Sequence, residues 1–120
     1  MKMHHLAIMV RNLAESIAFY EEMVELTIAR RISADPYEVV YLKNRDEDTQ
    51  VELIYNPHVQ KFEAKGLTIC FETDHLDAVH ARATEKGRNP SDIRNPDPEN
   101  RYFYVYDPDG ASVQFKQIVG

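Results

Sequence analysis

Four polar residues sit in segments that otherwise read as apolar β-strands: His5, Glu52, Glu72 and Gln114. Side chains alternate across a strand, so each segment splits into two sets. Leu6, Ile8 and Val10 form one set, and His5, Ala7 and Met9 the other. Val51, Leu53 and Tyr55 oppose Glu52 and Ile54. Ile69 and Phe71 oppose Thr68, Cys70 and Glu72. Val113 and Phe115 oppose Gln114 and Lys116. The apolar sets pack against helices. The other sets then line an open face, where an imidazole, two carboxylates and a carboxamide are odd choices unless that face is wet or functional. A lone carboxylate such as Glu52 is costly to bury unless it is paired or hydrated. The bland alternative for His5 is a histidine at a strand end facing solvent. Gln114 and Thr68 read as lining residues.

The elements that carry these residues come in a repeated order. Met3 to Val10 reads as a strand bounded by Arg11-Asn12. Leu13, Ile17, Tyr20 and Val24 recur at helical spacing, with Asn12 as N-cap and Glu15 in a capping-box position; this helix ends near Glu25. Thr27 to Ile32 is a strand weakened by Ala29-Arg30-Arg31. Asp35-Pro36 marks a turn, Tyr37 to Leu42 a strand, Asn44 to Thr49 a solvated loop, and Gln50 to Tyr55 another strand. After a polar connector the order returns. Gly66 to Thr73 is a strand, and Leu76, Val79 and Ala83 mark a helix stopped at Gly87. Ser91 to Arg94 is a short strand, and Asn95 to Asn100 a loop with two prolines. Arg101 to Tyr106 is a strand, Asp107 to Gly110 a tight turn, and Ala111 to Ile118 the last strand.

Each half thus reads strand, helix, three strands. At one fixed offset His5 meets Thr68, Val10 meets Thr73, Leu13 meets Leu76 and Tyr41 meets Tyr104. The second hairpin loop is one residue shorter, so Glu52 meets Gln114. The shared order of elements points to an internal duplication.

Composition narrows the function classes. The 120 residues, 43% of them hydrophobic, make one domain's worth of chain with one core. A formal charge of −6 argues against a nucleic-acid binder and against a polybasic membrane-surface protein. No apolar run approaches the roughly 20 residues of a membrane-spanning helix. The single cysteine, Cys70, excludes an internal disulfide and reads as a small buried hydrophobe. No signal peptide is visible, so a cytoplasmic location is expected.

The run His5-Leu6-Ala7-Ile8-Met9-Val10-Arg11-Asn12-Leu13, with Ser16 and Phe19-Tyr20, resembles the opening of the glyoxalase I family of the vicinal oxygen chelate superfamily. VELIYN (Val51 to Asn56) resembles its glutamate-bearing strand, and YDPDGASVQF (Tyr106 to Phe115) its final hairpin. The resemblance covers nearly the whole chain. It implies an α+β fold of two βαβββ modules forming a cup-shaped mixed sheet with helices outside. Module one would span about 1–56, the connector 57–65 and module two about 66–120. It also implies a homodimer.

Glyoxalase I places a divalent metal, zinc or nickel, in the cup on a His and a Glu from each module. Carried onto this chain, the resemblance makes His5 and Glu52 metal ligands and Gln114 a weaker third, with Thr68 and Gln114 standing where His and Glu are usual. Thr68 could slip to Leu67. Imidazole and carboxylate are good ligands, an amide oxygen is weaker and a Thr hydroxyl is poor. The metal would accordingly be weak or absent. The implied reaction is a lyase or isomerase step on a small carbonyl or thiol-adduct substrate, with Glu52 as general base or Glu72 in its place. Met9 stands where the family commonly has Arg, and Asn56 matches an Asn near the substrate. Arg101 and Lys116 offer positive charge to an anionic substrate. Tyr102, Tyr104 and Tyr106 share a face that lines the cup or covers a dimer surface. The superfamily also holds metal-free proteins that bind drugs in the same cup, and the absent third and fourth ligands favour that alternative. A ring-cleaving dioxygenase would need a two-His-one-carboxylate iron site, and one His is placed here.

Overall fold

The computed structural model describes residues 1–59 and 66–118. The chain divides into two compact units, Met1–Phe62 and Glu63–Gly120. Much of the expected connector 57–65 lies outside the described residues.

Unit one runs β1 (His5–Val10), α1 (Leu13–Glu22), β2 (Thr27–Ala34), β3 (Tyr37–Lys43) and β4 (Gln50–Tyr55). The strands form one four-stranded mixed sheet in the order β1-β4-β3-β2, with β1 parallel to β4 and the other pairs antiparallel. The Asn12 side chain accepts a hydrogen bond from the Glu15 backbone N–H (3.1 Å), which starts α1 as the sequence predicts. One face of α1 buries Ile17, Phe19 and Tyr20 over the sheet, where Val10, Val40, Leu42, Val51 and Leu53 are buried too. Each such side chain contributes about 1.5–3 kcal/mol when fully withdrawn from water. The helix ends earlier than expected, and Glu25 turns the chain with a φ of 63°.

Unit two repeats that order: β5 (Thr68–Glu72), α2 (Leu76–Glu85), β6 (Arg94–Asp97), β7 (Asn100–Tyr106) and β8 (Ser112–Ile118), with sheet order β5-β8-β7-β6 and β5 parallel to β8. The fold is α+β, two mixed sheets with flanking helices and the βαβββ order in each unit. Leu76, Val79 and Ala83 are the buried residues of α2. Gly87, at φ 71°, closes the helix. Its N–H reaches the Thr84 carbonyl (3.1 Å) while the Arg88 N–H reaches that of Ala83 (2.9 Å), the paired bonds of a Schellman end. The tight turn between β7 and β8 is built on Asp107. Its buried carboxylate accepts from the backbone of Asp109 and Ala111, both at 2.9 Å, and fixes the β7–β8 register.

The structure moves one element. The short strand expected at Ser91 to Arg94 is instead Arg94–Asp97, which keeps Arg94 and runs on into the stretch expected to be a loop. It is the edge strand of its sheet, the one place where Pro96 removes no needed ladder donor. Ser91 still binds β7 through both its backbone and its hydroxyl at Tyr104. Among the described residues no helix is long and apolar enough to cross a membrane.

Candidate functional site

The face of unit one turned away from α1 gathers the first group of polar residues. Burial along β1 alternates, with His5, Ala7 and Met9 exposed and Leu6, Ile8 and Val10 withdrawn. Ladder pairing then sets a row across all four strands: Ala7 beside Glu52, Glu52 beside Tyr41, Tyr41 beside Arg30. Glu52 is 7% exposed, an ionisable residue sunk into this face. His5 Nε2 stands 3.8 Å from Glu52 Oε2. The His5 ring meets Tyr41 edge-on at 5.7 Å, and its Nδ1 lies 2.7 Å from His4 Nδ1. The Arg30 guanidinium sits 4.7 Å from the centre of the Tyr41 ring. Hydrogen bonding of the Tyr41 hydroxyl to Glu52 holds the phenol above its usual pKa, with burial and the carboxylate's charge adding, while Arg30 opposes the shift.

Tyr41 and Arg30 are site residues that the sequence reading missed. Tyr41 was legible by parity, because it alternates with Leu42 and Val40. Arg30 was not. The ladder slips between Ile28 and Arg30, so a bulge inserts Ala29. Counted without the bulge, Arg30 would stand opposite Val40 on the helix side. With it, Arg30 joins Tyr41 on the open face.

In unit two the equivalent row is Cys70 beside Gln114 beside Tyr104. Thr68 pairs with Ser112, as His5 pairs with Gln50, so the ladder puts Thr68 rather than Leu67 at the His5 position. Glu72, Lys116 and Tyr102 form the next row of the same face. Tyr102 and Tyr104 meet edge-on at 5.7 Å, and Tyr106, on the same side, is 70% exposed. Cys70 is exposed, not the buried hydrophobe expected, since alternation sets it opposite Ile69 and Phe71. Partial desolvation of its sulfur by neighbouring side chains raises the thiol pKa; the charge of Lys116 opposes this and that of Glu72 adds to it.

Other candidates fall elsewhere. Arg101 does not share the face of Gln114 and Tyr104. It lies on the helix side of β7, where its guanidinium binds Asp77 of α2 at 3.0 and 3.3 Å and the Gln117 side-chain oxygen at 3.3 Å. Asn56 follows β4 in a turn, its side-chain oxygen accepting from the His58 backbone (2.9 Å). Met9 stands on the open face of β1. His80 of α2 reaches the Ser91 carbonyl from Nε2 (2.9 Å) and packs edge-on against Phe103.

The arrangement can accept and donate hydrogen bonds and present apolar surface. It is short of metal donors. A catalytic zinc site keeps three protein ligands. His5 and Glu52 are two, and among the described residues no group of three or more His, Cys, Asp or Glu is placed to hold an ion. The metal-type donors that unit one brings together on this face are one imidazole and one carboxylate.

Known proteins share this architecture. The chain is 31% identical over 123 residues to the uncharacterized protein YwbC of Bacillus subtilis, covering 97% of each. It superposes on Leishmania major glyoxalase I with a TM-score of 0.79 and 26% identity, covering 98% of this chain and 86% of that one. TnmS3, an antibiotic binding protein from Streptomyces, gives a TM-score of 0.77 over 99% of this chain and 97% of that one; at 20% identity the likeness is one of fold. The Glyoxalase/Bleomycin resistance protein/Dioxygenase superfamily model matches residues 2–115, the span that holds both βαβββ units and both open faces. The chain belongs to that superfamily.

Proposed function

We propose that this chain is a small-molecule-binding protein that holds a ligand on an open sheet face without a metal. One observation carries the reading. At ladder-equivalent positions the two units present His5 and Glu52 in one and Thr68 and Gln114 in the other. The second pair supplies a hydroxyl and a carboxamide, which hydrogen-bond well and coordinate zinc or nickel poorly. The tyrosines of β7 add surfaces for stacking on a flat ligand. The antibiotic binding protein of the same fold lends support by analogy. The reading keeps the homodimer that the resemblance implies and the cytoplasmic location expected from the sequence.

The competing reading is a lyase or isomerase of glyoxalase I type with Glu52 as base. The 3.8 Å between His5 Nε2 and Glu52 Oε2 favours it, because a small closure brings the pair to the roughly 3.4 Å that separates two ligands of one tetrahedral ion. Metal content and ligand binding of the purified protein, with His5→Ala and Glu52→Gln beside it, decide the matter. The expected result is substoichiometric zinc and nickel, ligand binding unchanged by a chelator, and no isomerisation of a hemithioacetal. Stoichiometric metal, lost in both variants and accompanied by turnover, refutes the proposal.

A further inference from the structure

Resting on the binding reading above, we infer that the open face of unit one selects a neutral hydroxylated ring compound: its hydroxyl between His5 and Glu52, its apolar body along the neighbouring row.

The head-group position follows from geometry. His5 Nε2 and Glu52 Oε2 are 3.8 Å apart, too far to hydrogen-bond each other. Glu52 is nonetheless sunk to 7% exposure, and a buried carboxylate gains from each donor it can recruit. An oxygen about 2.8 Å from both atoms fits between them. His4 Nδ1 and His5 Nδ1 share a hydrogen at 2.7 Å. When His4 supplies that hydrogen, His5 carries its own on Nε2. A ligand hydroxyl then accepts from His5 and donates to Glu52, using both capacities at once. A methyl ether keeps the acceptor and loses the donor.

Charge argues for a neutral group. The Arg30 guanidinium lies over Tyr41, whose hydroxyl meets the same carboxylate. Arg30 therefore places a positive charge on the far side of Tyr41 from Glu52, in the same row. A cationic ligand meets Arg30 unfavourably, and an anionic one meets Glu52.

The body follows from the ladder. Two residues along each strand from the Ala7-Glu52-Tyr41-Arg30 row runs Met9, Ile54, Val39 and Ile32, each beside the next. Met9 and Ile32 are 42% and 41% exposed, so this apolar row reaches solvent. It lies about 7 Å from the Glu52 row, the length of two fused six-membered rings, and spans about 14 Å across the strands.

Three naphthalenes test the inference by isothermal titration in the presence of a chelator: 2-naphthol, 2-methoxynaphthalene and the cationic 2-naphthylmethylamine. Wild-type protein is expected to bind the naphthol about tenfold or more tighter than the ether, the value of one hydrogen bond to a charged acceptor. In Glu52→Gln and His5→Phe that preference should shrink to about threefold or less. If neither variant folds by circular dichroism, the wild-type ratio alone decides. Equal binding of naphthol and ether overturns the inference and leaves the binding reading standing. Tightest binding of the amine also overturns it. Binding of none of the three overturns both.

Discussion

Two adjacent residues of β7 offer a sharp test of which side of the second sheet is open. Phe103 is fully buried, stacked on Phe115 at 5.2 Å and met edge-on by His80 at 4.9 Å. Tyr104 is half-buried on the opposite side, touching Tyr102 at 5.7 Å. Phe103→Ala removes a whole core side chain and leaves a cavity, a loss of about 3–5 kcal/mol that includes two aromatic contacts. Tyr104→Ala removes one aromatic contact and part of a wet surface, a loss of about 0.5–1.5 kcal/mol. The difference is large against the roughly 5–15 kcal/mol that holds a domain of this size together. Urea unfolding followed by far-ultraviolet circular dichroism reads both. With a slope of about 2 kcal/mol per molar, the Phe103→Ala midpoint falls by roughly 2 M and the Tyr104→Ala midpoint by less than about 1 M. A Tyr104→Ala loss equal to that of Phe103→Ala would refute the reasoning. The tyrosine face would then be packed in solution, and no ligand surface.

Gly87→Ala should cost about 1–2 kcal/mol in the same urea experiment. Its φ of 71° is left-handed and a new Cβ would meet nothing within 4 Å, so the loss is purely conformational; an unchanged midpoint contradicts that helix end. Asp77→Asn should lower stability at neutral pH in a way that acid erases. Bonding to Arg101 depresses the Asp77 carboxyl below its ordinary 3.8, so its contribution is present above that value and is lost as pH falls through the lower folded-state value. Urea midpoints of variant and wild type should therefore converge as pH drops below 3.8, and a gap that persists in acid excludes the ion pair as its source.

The order of elements was readable because periodicity changes sharply along this chain. Helical spacing at Leu76, Val79 and Ala83 gives way to strict alternation in Arg101 to Tyr106, and both survive folding. The Asn12 cap and the Gly87 stop are local signals, written in residues that act on their own backbone. What the sequence hid was nonlocal. The edge strand Arg94–Asp97 carries a proline that reads as a loop until its place in the sheet is known. Cys70 looks like core by residue type and is exposed by parity.

The site shows the same division. Parity alone put His5, Glu52, Gln114 and Lys116 in the sets turned away from the helices, because each sits in an unbroken strand. Parity from the far end of β2 would have misplaced Arg30, since a bulge is invisible to alternation. Arg101 misled in a different way. As a cation beside three tyrosines it invited a role with an anionic substrate, yet its own strand position is odd where theirs is even, and Asp77 claims it. The two units serve as an internal comparison on this point. The same ladder that sets Glu52 between Ala7 and Tyr41 sets Gln114 between Cys70 and Tyr104. One backbone thus presents a carboxylate in the first unit and a neutral amide in the second. The scaffold requires neither, so the choice at each position answers to what the face must hold.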